Sequence, residues 1–328
     1  MSILVTGGAG YIGSVTVEAI RAEGEPVVVL DDLSNGHREA VDADVPFYKG
    51  DLGDASLLAD LIEKYEITQV VHFAGFISVP ESVGEPLLYF DNNTAKVVKM
   101  LSALRAGGVK NIVFSSTAAV YGEPEYTPID EEHPKRPTNP YGLSKYFVEQ
   151  ILDWADSAFG MTHVALRYFN ASGATASRGE VHSTEGHLIP AILQVPMGRR
   201  QCVNLYGGDY PTPDGTCVRD YIHVADLADA HVKALCYLKN GGASEKINLG
   251  NGVGFSIREV IAAAERVTGV KIPIKEAARR EGDPSILVSA SGKARKTLGW
   301  SPHFTELDTI VGTAWDWYRA HPNGYAGS

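Results

Sequence analysis

Tyr141 and Lys145 are the residues whose types and spacing most directly predict acid–base chemistry in this sequence. They follow Asn139-Pro140, a typical helix start in which asparagine caps the first turn and proline takes the first helical position. A helix beginning there places both side chains on one face, at positions i and i+4. A lysine charge and a helix N-terminus both favour phenolate, so Tyr141, whose usual pKa is about 10, is predicted to act as a base near neutral pH. The same spacing also arises on solvated helix faces, so neighbouring motifs are needed to distinguish a catalytic pair from a solvent-exposed one.

A buried strand that ends in hydroxyl side chains supports the chemical interpretation. The apolar run Ile112–Ser115 leads directly into Ser116 and Thr117. Ligands of a doubly wound parallel sheet bind outside the carboxyl ends of its strands, which is where these hydroxyls are expected. One of them is predicted to hydrogen-bond the reacting oxygen. The alternative is that serine and threonine simply terminate the strand.

A glycine-rich turn follows the first predicted strand, Ile3–Thr6. Its sequence, Gly-Gly-Ala-Gly-Tyr-Ile-Gly, is a variant of the dinucleotide-binding fingerprint. Gly7 permits the tight turn, Gly10 lets backbone amides approach a pyrophosphate, and Gly13 lets the helix pack against the strand. The sequence therefore predicts a dinucleotide site, with an ordinary structural turn as the alternative.

An acidic pair at the end of the second strand indicates which dinucleotide. Val27–Leu30 is followed by Asp31 and Asp32, about 20 residues after the glycine turn, where a carboxylate accepts a hydrogen bond from the ribose 2′-hydroxyl. A carboxylate there repels the 2′-phosphate of NADP. NAD is therefore predicted over NADP, and its nicotinamide cation adds to the forces favouring the Tyr141 phenolate. The alternative is an acidic loop cap.

The elements that must position these residues alternate between strand and helix. Five apolar runs read as strands buried on both faces: Ile3–Thr6, Val27–Leu30, Val70–Phe73, Ile112–Ser115 and Val164–Arg167. Helical periodicity lies between them, in Ile12–Glu23, Ser56–Tyr65, Leu87–Ala106 and Tyr141–Phe159. This alternation predicts an α/β protein with a Rossmann-like, doubly wound parallel sheet.

After about residue 170 the sequence becomes rich in glycine, serine, threonine and proline. Further helices are predicted at Ile189–Gly198, Val224–Lys239, Ile257–Thr268 and Thr305–His321, and short strands at Val203–Tyr206 and Lys246–Leu249. We predict a dinucleotide-binding domain at 1–170 and a smaller, loop-rich α/β substrate domain at 171–328. Parts near 216–240 are allowed to return to the first domain.

Composition excludes several partner classes. The 328 residues carry a net charge of −11, which repels nucleic acid and anionic membrane surfaces. The cysteines Cys202, Cys217 and Cys236 are odd in number and lack metal-site spacing, so no metal is predicted. The sequence shows no cleavable leader or apolar run long enough to span a membrane, and a cytoplasmic location is expected.

Taken together, these motifs resemble the extended short-chain dehydrogenases/reductases, and within them the UDP-glucose (UDP-galactose) 4-epimerase group. The narrower resemblance rests on segments spread from the N-terminus to beyond residue 280. They are His72–Gly75, Asp91–Asn93, Arg167–Asn170, Gly208–Thr212, Asp214–Thr216, Val218–Val224 and Arg279–Asp283.

The resemblance implies specific roles. Tyr141 is the implied general base and acid, Lys145 lowers its pKa and holds the nicotinamide ribose, and Thr117 is the implied active-site hydroxyl. The implied NAD contacts are Gly7, Gly10, Tyr11, Ile12, Gly13, Asp31, Asn35, Asp51, Leu52, Phe73, Ala74, Gly75, Asn92, Tyr141, Lys145 and Phe169. The implied UDP-sugar contacts are Thr117, Tyr141, Asn170, Leu188, Asn204, Leu205, Tyr206, Arg219, Arg280 and Asp283. Paired arginines suit a diphosphate because their planar forks match its oxygens.

The implied reaction inverts carbon 4 of UDP-galactose or UDP-glucose through a 4-keto sugar, with NAD retained and two subunits joined through the helices Leu87–Ala106 and Tyr141–Phe159. Three positions depart from the group's pattern: Ile77, where some members have lysine, His187, where others have asparagine, and Leu287, where some have tyrosine. A smaller wall at Leu287 predicts some activity on UDP-N-acetylhexosamines.

Three alternatives remain at this point. A nucleotide-sugar dehydratase or decarboxylase of the same superfamily is disfavoured, because dehydratases carry an Asp-Glu pair where this chain has Ala118-Ala119. A 4-epimerase of UDP-pentoses or UDP-uronic acids stays open. A non-catalytic NAD-binding sensor needs none of the reactive side chains, all of which are present.

Overall fold

The computed structural model describes residues 1–181, 186–280 and 283–325. Its main layer is a seven-stranded sheet, wholly parallel. With strands numbered along the chain, it contains β1 (Ser2–Thr6), β2 (Val27–Asp31), β3 (Phe47–Lys49), β4 (Ile67–His72), β5 (Asn111–Thr117), β6 (His163–Tyr168) and β10 (Glu245–Leu249). The spatial order is β10-β6-β5-β4-β1-β2-β3, so the order reverses between β1 and β4. A crevice for a dinucleotide lies at such a switch point.

Helices cover both faces of this sheet, as its doubly buried strands require. They are α1 (Tyr11–Ala22), α2 (Ala55–Tyr65), α3 (Val79–Gly84), α4 (Pro86–Phe90), α5 (Lys96–Ala106), α6 (Pro140–Phe159) and, later in the chain, α8 (Val224–Lys239). Helices α1 and α8 pack on one face, and α2, α5 and α6 on the other. The predicted α/β, Rossmann-like fold is confirmed.

The remaining elements form a smaller α/β layer beside the carboxyl ends of the main sheet. Its strands are β7 (Asn170–Ser172), β8 (Val203–Tyr206), β9 (Val218–His223), β11 (Gly254–Ser256), β12 (Ile274–Ala277) and β13 (Ile286–Leu287). Its helices are α7 (Leu188–Leu193), α9 (Ile257–Thr268) and α11 (Leu307–Ala320). Helix α10 (Gly292–Leu298) packs instead against α8 and β10 of the main layer. Strand β9 is central, pairing with β7, β11 and β13, while β12 pairs with β8.

The connection to the main layer is made by the segment 224–249. Helix α8 packs against α1, and β10 adds to the edge of the main sheet beside β6. The backbone of β10 thus extends the parallel sheet after the chain has already built part of the smaller layer. The division at residue 170 stays a prediction.

Most predicted elements are present, with ends shifted by a few residues. The helix predicted at Ile189–Gly198 is wrong at its end, because α7 stops at Leu193. Pro196 explains the difference, since the residue before a proline is disfavoured in helical conformation. The helix predicted at Leu87–Ala106 contains a π-helical turn at Asp91–Ala95 between α4 and α5. Strands β3, β7, β9 and β11–β13 were not predicted, being short or interrupted by charged residues.

Within the described ranges, no helix has both the length and the apolar character required to cross a membrane.

Candidate active site

Helix α6 begins as its sequence predicts and presents the tyrosine and lysine together. Asn139 is the N-cap, and its side-chain oxygen accepts a hydrogen bond from the Gly142 amide at 2.9 Å. Pro140 is the first helical residue. Tyr141 and Lys145 then follow at i and i+4, and α6 continues for a further 14 residues, which anchor its N-terminus firmly.

Lys145 is buried, with 3% of its surface exposed. Its ammonium donates to the backbone carbonyl of Ser115 at 3.1 Å and lies 5.1 Å from the centre of the Phe114 ring. Burial lowers the pKa of Lys145 to about 8. Within the described residues no carboxylate forms an ion pair with it, which leaves donors of the ammonium free for a ligand.

Tyr141 is half-buried, and its hydroxyl contacts the side chain of Thr117. Thr117 ends β5 with 9% of its surface exposed, and its own hydroxyl accepts from the Ala119 amide at 3.1 Å. Burial raises the pKa of Tyr141, and the Thr117 hydrogen bond opposes that rise. Burial thus opposes the expected phenolate in the ligand-free chain, and a bound nicotinamide cation would favour it. The role of Tyr141 as a base therefore stays a prediction.

The glycine turn has the geometry of a dinucleotide cradle. Gly7 has a φ of +72°, and a Cβ there would lie 2.5 Å from the Ala74 amide nitrogen. A Cβ at Gly13 would lie 2.2 Å from the Gly7 carbonyl oxygen. Gly10 caps α1 without a side-chain hydrogen bond, as is usual where a helix N-terminus faces an anion. The turn therefore fits the pyrophosphate of NAD.

Asp31 lies at the end of β2, as predicted, and is 7% exposed. Its carboxylate accepts from the amides of Ala9 at 2.9 Å and Leu33 at 2.8 Å. Burial raises the pKa of Asp31, while the two amide hydrogen bonds oppose the change. The carboxylate thus braces the glycine turn and still has lone pairs for a ribose hydroxyl, an arrangement that fits NAD.

The segment after β4 forms the other wall of the crevice. The amides of Phe73 and Ala74 both donate to the Thr6 carbonyl, at 2.8 and 3.1 Å. A Cβ at Gly75 would lie 3.3 Å from the Lys145 ammonium and 3.2 Å from the Asn93 side-chain oxygen. Gly75 therefore allows this wall to approach the catalytic helix closely.

Five other predicted cofactor contacts differ in their exposure and partners. Asn35 is exposed, and Leu52 is buried in the core below. Asp51 forms an ion pair with Lys96 at 2.5 Å. Asn92 lies half-buried on the π-helical turn, and Phe169 follows β6 directly.

Three predicted substrate residues already have partners within the chain. Arg219, which is 9% exposed, forms an ion pair with Asp283. Asn170 begins β7 and donates from its side-chain amide to the Asp220 carbonyl at 3.0 Å, which joins the end of the main sheet to β9. The structure therefore brings Arg219, Asp283 and Asn170 to one side of the smaller layer.

A second group of predicted substrate residues surrounds β8. The Arg280 guanidinium lies 4.0 Å from the centre of the Tyr206 ring, and the Asn204 amide lies 3.4 Å from the Tyr206 hydroxyl. Leu205 is 1% exposed, so only its backbone can reach a ligand, and Leu188 is the first residue of α7. Residues 281–282 of the Arg279–Asp283 motif lie outside the described residues.

Leu287, the predicted wall of the sugar pocket, lies on β13 and pairs in register with Arg219. It packs with Phe169 against a small apolar cluster that includes Ala118, the residue that follows Thr117 in the chain.

Asn93 is a residue of this site that sequence reasoning missed. It is 2% exposed, accepts from the Phe76 amide at 2.8 Å and donates to the Phe76 carbonyl at 3.0 Å. Its amide also donates to the Ser144 hydroxyl at 3.3 Å, which joins the crevice wall to α6. The adjacent asparagines offered a signal, but only the π-helical turn decides which of them points inward.

Three quarters of the chain match a known protein family. Residues 3–250 match the NAD dependent epimerase/dehydratase family. That match covers the glycine turn, both reactive side chains and the strand that closes the main sheet. The chain belongs to this family of NAD-dependent enzymes, so the predicted family and its cofactor are confirmed.

The relatives of this chain within the family include UDP-glucose 4-epimerases. The enzyme of that name from Lacticaseibacillus casei is 53% identical over 327 residues, covering 99% of both chains. A crystal structure of a UDP-glucose 4-epimerase is 46% identical with a TM-score of 0.97, again covering 99% of both chains. The Bifidobacterium longum enzyme in complex with NAD+ and UDP is 39% identical, with a TM-score of 0.93 over 99% of this chain and all of the other.

Proposed function

We propose that this protein interconverts UDP-galactose and UDP-glucose by inverting carbon 4 of the sugar, with NAD retained between turnovers. The observation that carries the proposal is the buried Lys145 ammonium, which lies beside the Tyr141–Thr117 pair at the mouth of a dinucleotide crevice. Bound NAD supplies a reversible hydride acceptor at the sugar carbon. The chain's own residues supply binding, orientation and proton transfer.

Tyr141 is the proton-transfer residue of this proposal. Its hydroxyl lies on the face of α6 that points at the end of β5, so a sugar 4-hydroxyl placed between Tyr141 and Thr117 contacts both groups. Tyr141 takes the proton as the 4-keto sugar forms and returns it after the sugar has turned its other face. Tyr141 thus both removes and returns the proton, and the sugar undergoes no net oxidation.

Lys145 tunes and orients that step. As a buried cation it lowers the cost of forming phenolate at Tyr141, one helical turn away. Its unsatisfied donors also suit the ribose hydroxyls of the nicotinamide half. These two roles explain why a lysine occupies a position where burial disfavours its charge.

Substrate binding falls to the smaller layer. Arg219 and Arg280 provide guanidinium groups for the UDP diphosphate, and the Tyr206 ring provides a flat surface nearby. Binding energy from the UDP end holds the substrate while the hexose remains free to turn.

Isotopic label at carbon 4 tests the reaction type. UDP-galactose carrying deuterium at carbon 4 is expected to give UDP-glucose with the deuterium still at carbon 4, because the hydride leaves and returns to the same atom. Loss of label to another carbon or to water would instead indicate dehydratase chemistry. The side chains after Thr117 are Ala118 and Ala119, which offer no acid or base for elimination.

Leu287 supports some activity on UDP-N-acetylhexosamines. Leu287→Tyr is expected to lower turnover of UDP-N-acetylgalactosamine about tenfold or more relative to UDP-galactose, since a larger wall takes the space of the acetyl group. The measurement compares kcat/KM for both substrates in wild type and variant. Wild-type turnover of the N-acetyl sugar thousands of times slower than that of UDP-galactose would contradict the argument.

A homodimer is proposed because the outer surface of α4–α6 is unusually apolar. Leu87 is 80% exposed and Trp154 76% exposed, and Leu88, Val98, Phe147 and Phe159 are exposed on the same helices. Exposed apolar side chains gathered on neighbouring elements are typical of an interface. We infer that a second copy covers them.

Light scattering is expected to give twice the chain mass of 35.3 kDa for the wild type. Trp154→Arg combined with Leu87→Arg is expected to give the single-chain mass, because burying two unpaired charges opposes association. Val253→Arg, at a position that is 50% exposed outside these helices, is the matched control and should leave the mass unchanged. A wild-type protein that is monomeric at micromolar concentration would remove the proposal.

A cytoplasmic location is also proposed. All three cysteines are free in the structure, as a reducing compartment would maintain them.

A further inference from the structure

The end of β5 is fastened to the catalytic helix by three neighbouring contacts. Three consecutive strand residues each contact one of three residues spaced four apart along α6. The pairs are Thr117 with Tyr141, Ser115 with Lys145 and Ser116 with Glu149. The first two pairs contain the reactive side chains. The third contains the Glu149 carboxylate, which takes no part in the proton or hydride transfer of the proposed reaction.

The Ser116–Glu149 contact is short and buried. The serine hydroxyl donates to a Glu149 carboxylate oxygen at 2.5 Å. Ser116 is 1% exposed and Glu149 0% exposed. A hydrogen bond to a buried carboxylate is charge-assisted and sets both partners within a narrow range of positions.

Glu149 is itself held rigidly from the opposite side. Arg167 on β6 donates to its two carboxylate oxygens at 2.8 and 2.5 Å, and Arg167 is 1% exposed. Arg167 also donates to the Tyr121 hydroxyl at 2.9 Å, and that hydroxyl donates to the Asn248 side chain on β10 at 2.6 Å. The carboxylate is therefore fixed relative to three parallel strands.

We propose that Glu149, acting through the Ser116 hydroxyl, is a positioning residue that sets the register of α6 against β5 and thereby the reach of Tyr141 and Lys145 to the substrate. This inference rests on the proposed epimerase function. Glu149 lies on the same helix face as the reactive pair, at i+4 from Lys145 and i+8 from Tyr141. A shift of α6 along the strand therefore moves both reactive groups away from Thr117 and Ser115 together.

Small displacements at such a site have large kinetic effects. A misplacement of about 1 Å can lower a rate about 100-fold when reacting groups depend on orientation. Among the residues that the structure describes, few charged or titratable groups face Tyr141 and Lys145. They are each other, His72 on β4, which burial and Lys145 keep neutral with a pKa of about 3, and Tyr168 on β6. Ser116→Ala changes none of these groups.

The test is Ser116→Ala, which removes one hydroxyl and leaves the Glu149–Arg167 pair intact. We expect kcat for UDP-galactose to fall about tenfold with KM changed less than twofold, because positioning acts on the reactive step rather than on UDP binding. The acid limb of the pH profile of kcat is expected to move to higher pH, because the displaced lysine stabilises phenolate less well. Circular dichroism and thermal unfolding verify that the variant is folded.

A double-mutant cycle distinguishes positioning of Tyr141 by the Ser116 hydroxyl from a general loss of rigidity in the protein. In a Tyr141→Phe background, Ser116→Ala is expected to change the residual rate less than twofold, since the hydroxyl it positions is gone. Tyr121→Phe, which removes a hydroxyl at the far end of the same network, is the matched control and should keep kcat within twofold of wild type.

An equal effect of Ser116→Ala in both backgrounds would overturn the positioning role, as would an unchanged kcat and pH profile in the single variant. Absence of turnover by the wild-type protein in the same assay would overturn the proposed function, and this inference with it.

Discussion

Tyr141→Phe is expected to lower kcat for UDP-galactose about 10³-fold, because the variant keeps the ring and loses the hydroxyl that the proposal assigns to move the substrate proton. General acid–base catalysis by a positioned side chain typically contributes about 10²- to 10⁴-fold. The Tyr141 hydroxyl contacts the Thr117 side chain, so its removal leaves the ring packing unchanged. NAD content and KM are expected to stay close to those of the wild type.

The measurement is kcat by product chromatography, together with cofactor released from the denatured variant. Thr117→Val is a useful companion, because it removes the hydroxyl partner and leaves the base. Unchanged turnover in Tyr141→Phe would support a non-catalytic NAD sensor, which needs no proton-transfer group.

Lys145→Met is expected to lower kcat at least 100-fold and, at the same time, to stabilise the ligand-free protein. Removing a fixed electrostatic stabiliser commonly costs about 10²- to 10³-fold in rate. Burial lowers the pKa of Lys145 from its usual 10.5 to about 8, which at roughly 1.4 kcal/mol per pKa unit opposes folding by about 3 kcal/mol below pH 8. The lost hydrogen bond to Ser115 offsets about 1 kcal/mol of the gain.

The sign of the pH dependence follows from those two pKa values. Below pH 8 both folded and unfolded chains carry the ammonium, and the full desolvation cost is present. As pH rises from 8 to 10.5 the folded chain has lost the proton and the unfolded chain still holds it, so the cost declines and vanishes above the unfolded pKa. The stability advantage of Lys145→Met is therefore expected near pH 7 and absent above about pH 10.5.

Chemical denaturation of the cofactor-free proteins at several pH values measures this effect. Lys233→Met, in a partly exposed ion pair with Asp229, is the matched control and should change stability by less than about 0.5 kcal/mol. A Lys145→Met variant that is less stable than wild type at pH 7 would contradict the assigned desolvation of the lysine.

Local sequence rules were sufficient for the features that depend on neighbouring residues. Asn139 caps α6, Asp31 ends β2, and Gly7 and Gly13 occupy positions where a side chain would clash. Each of these follows from a few adjacent residues and the known geometry of caps, strand ends and turns. Five strands of the main sheet, β1, β2, β4, β5 and β6, were predictable for the same reason, because they contain continuous apolar runs.

Features that depend on distant contacts were not predictable. Glu149 looks like an ordinary helix carboxylate, and only folding shows that Arg167 and Ser116 meet it in the core. The pKa of Tyr141 likewise depends on how deeply the tertiary structure buries the ring, which a motif does not encode. Strand β10 joins the main sheet through pairing with β6, about 80 residues earlier in the chain.

The proposed epimerase activity is tested most directly by incubating the purified protein with UDP-galactose, without added NAD, and separating the nucleotide sugars by chromatography. We expect conversion to an equilibrium mixture with UDP-glucose, because retained cofactor supports both hydride steps and none is consumed. No conversion of UDP-galactose, even after NAD is supplied, would contradict it.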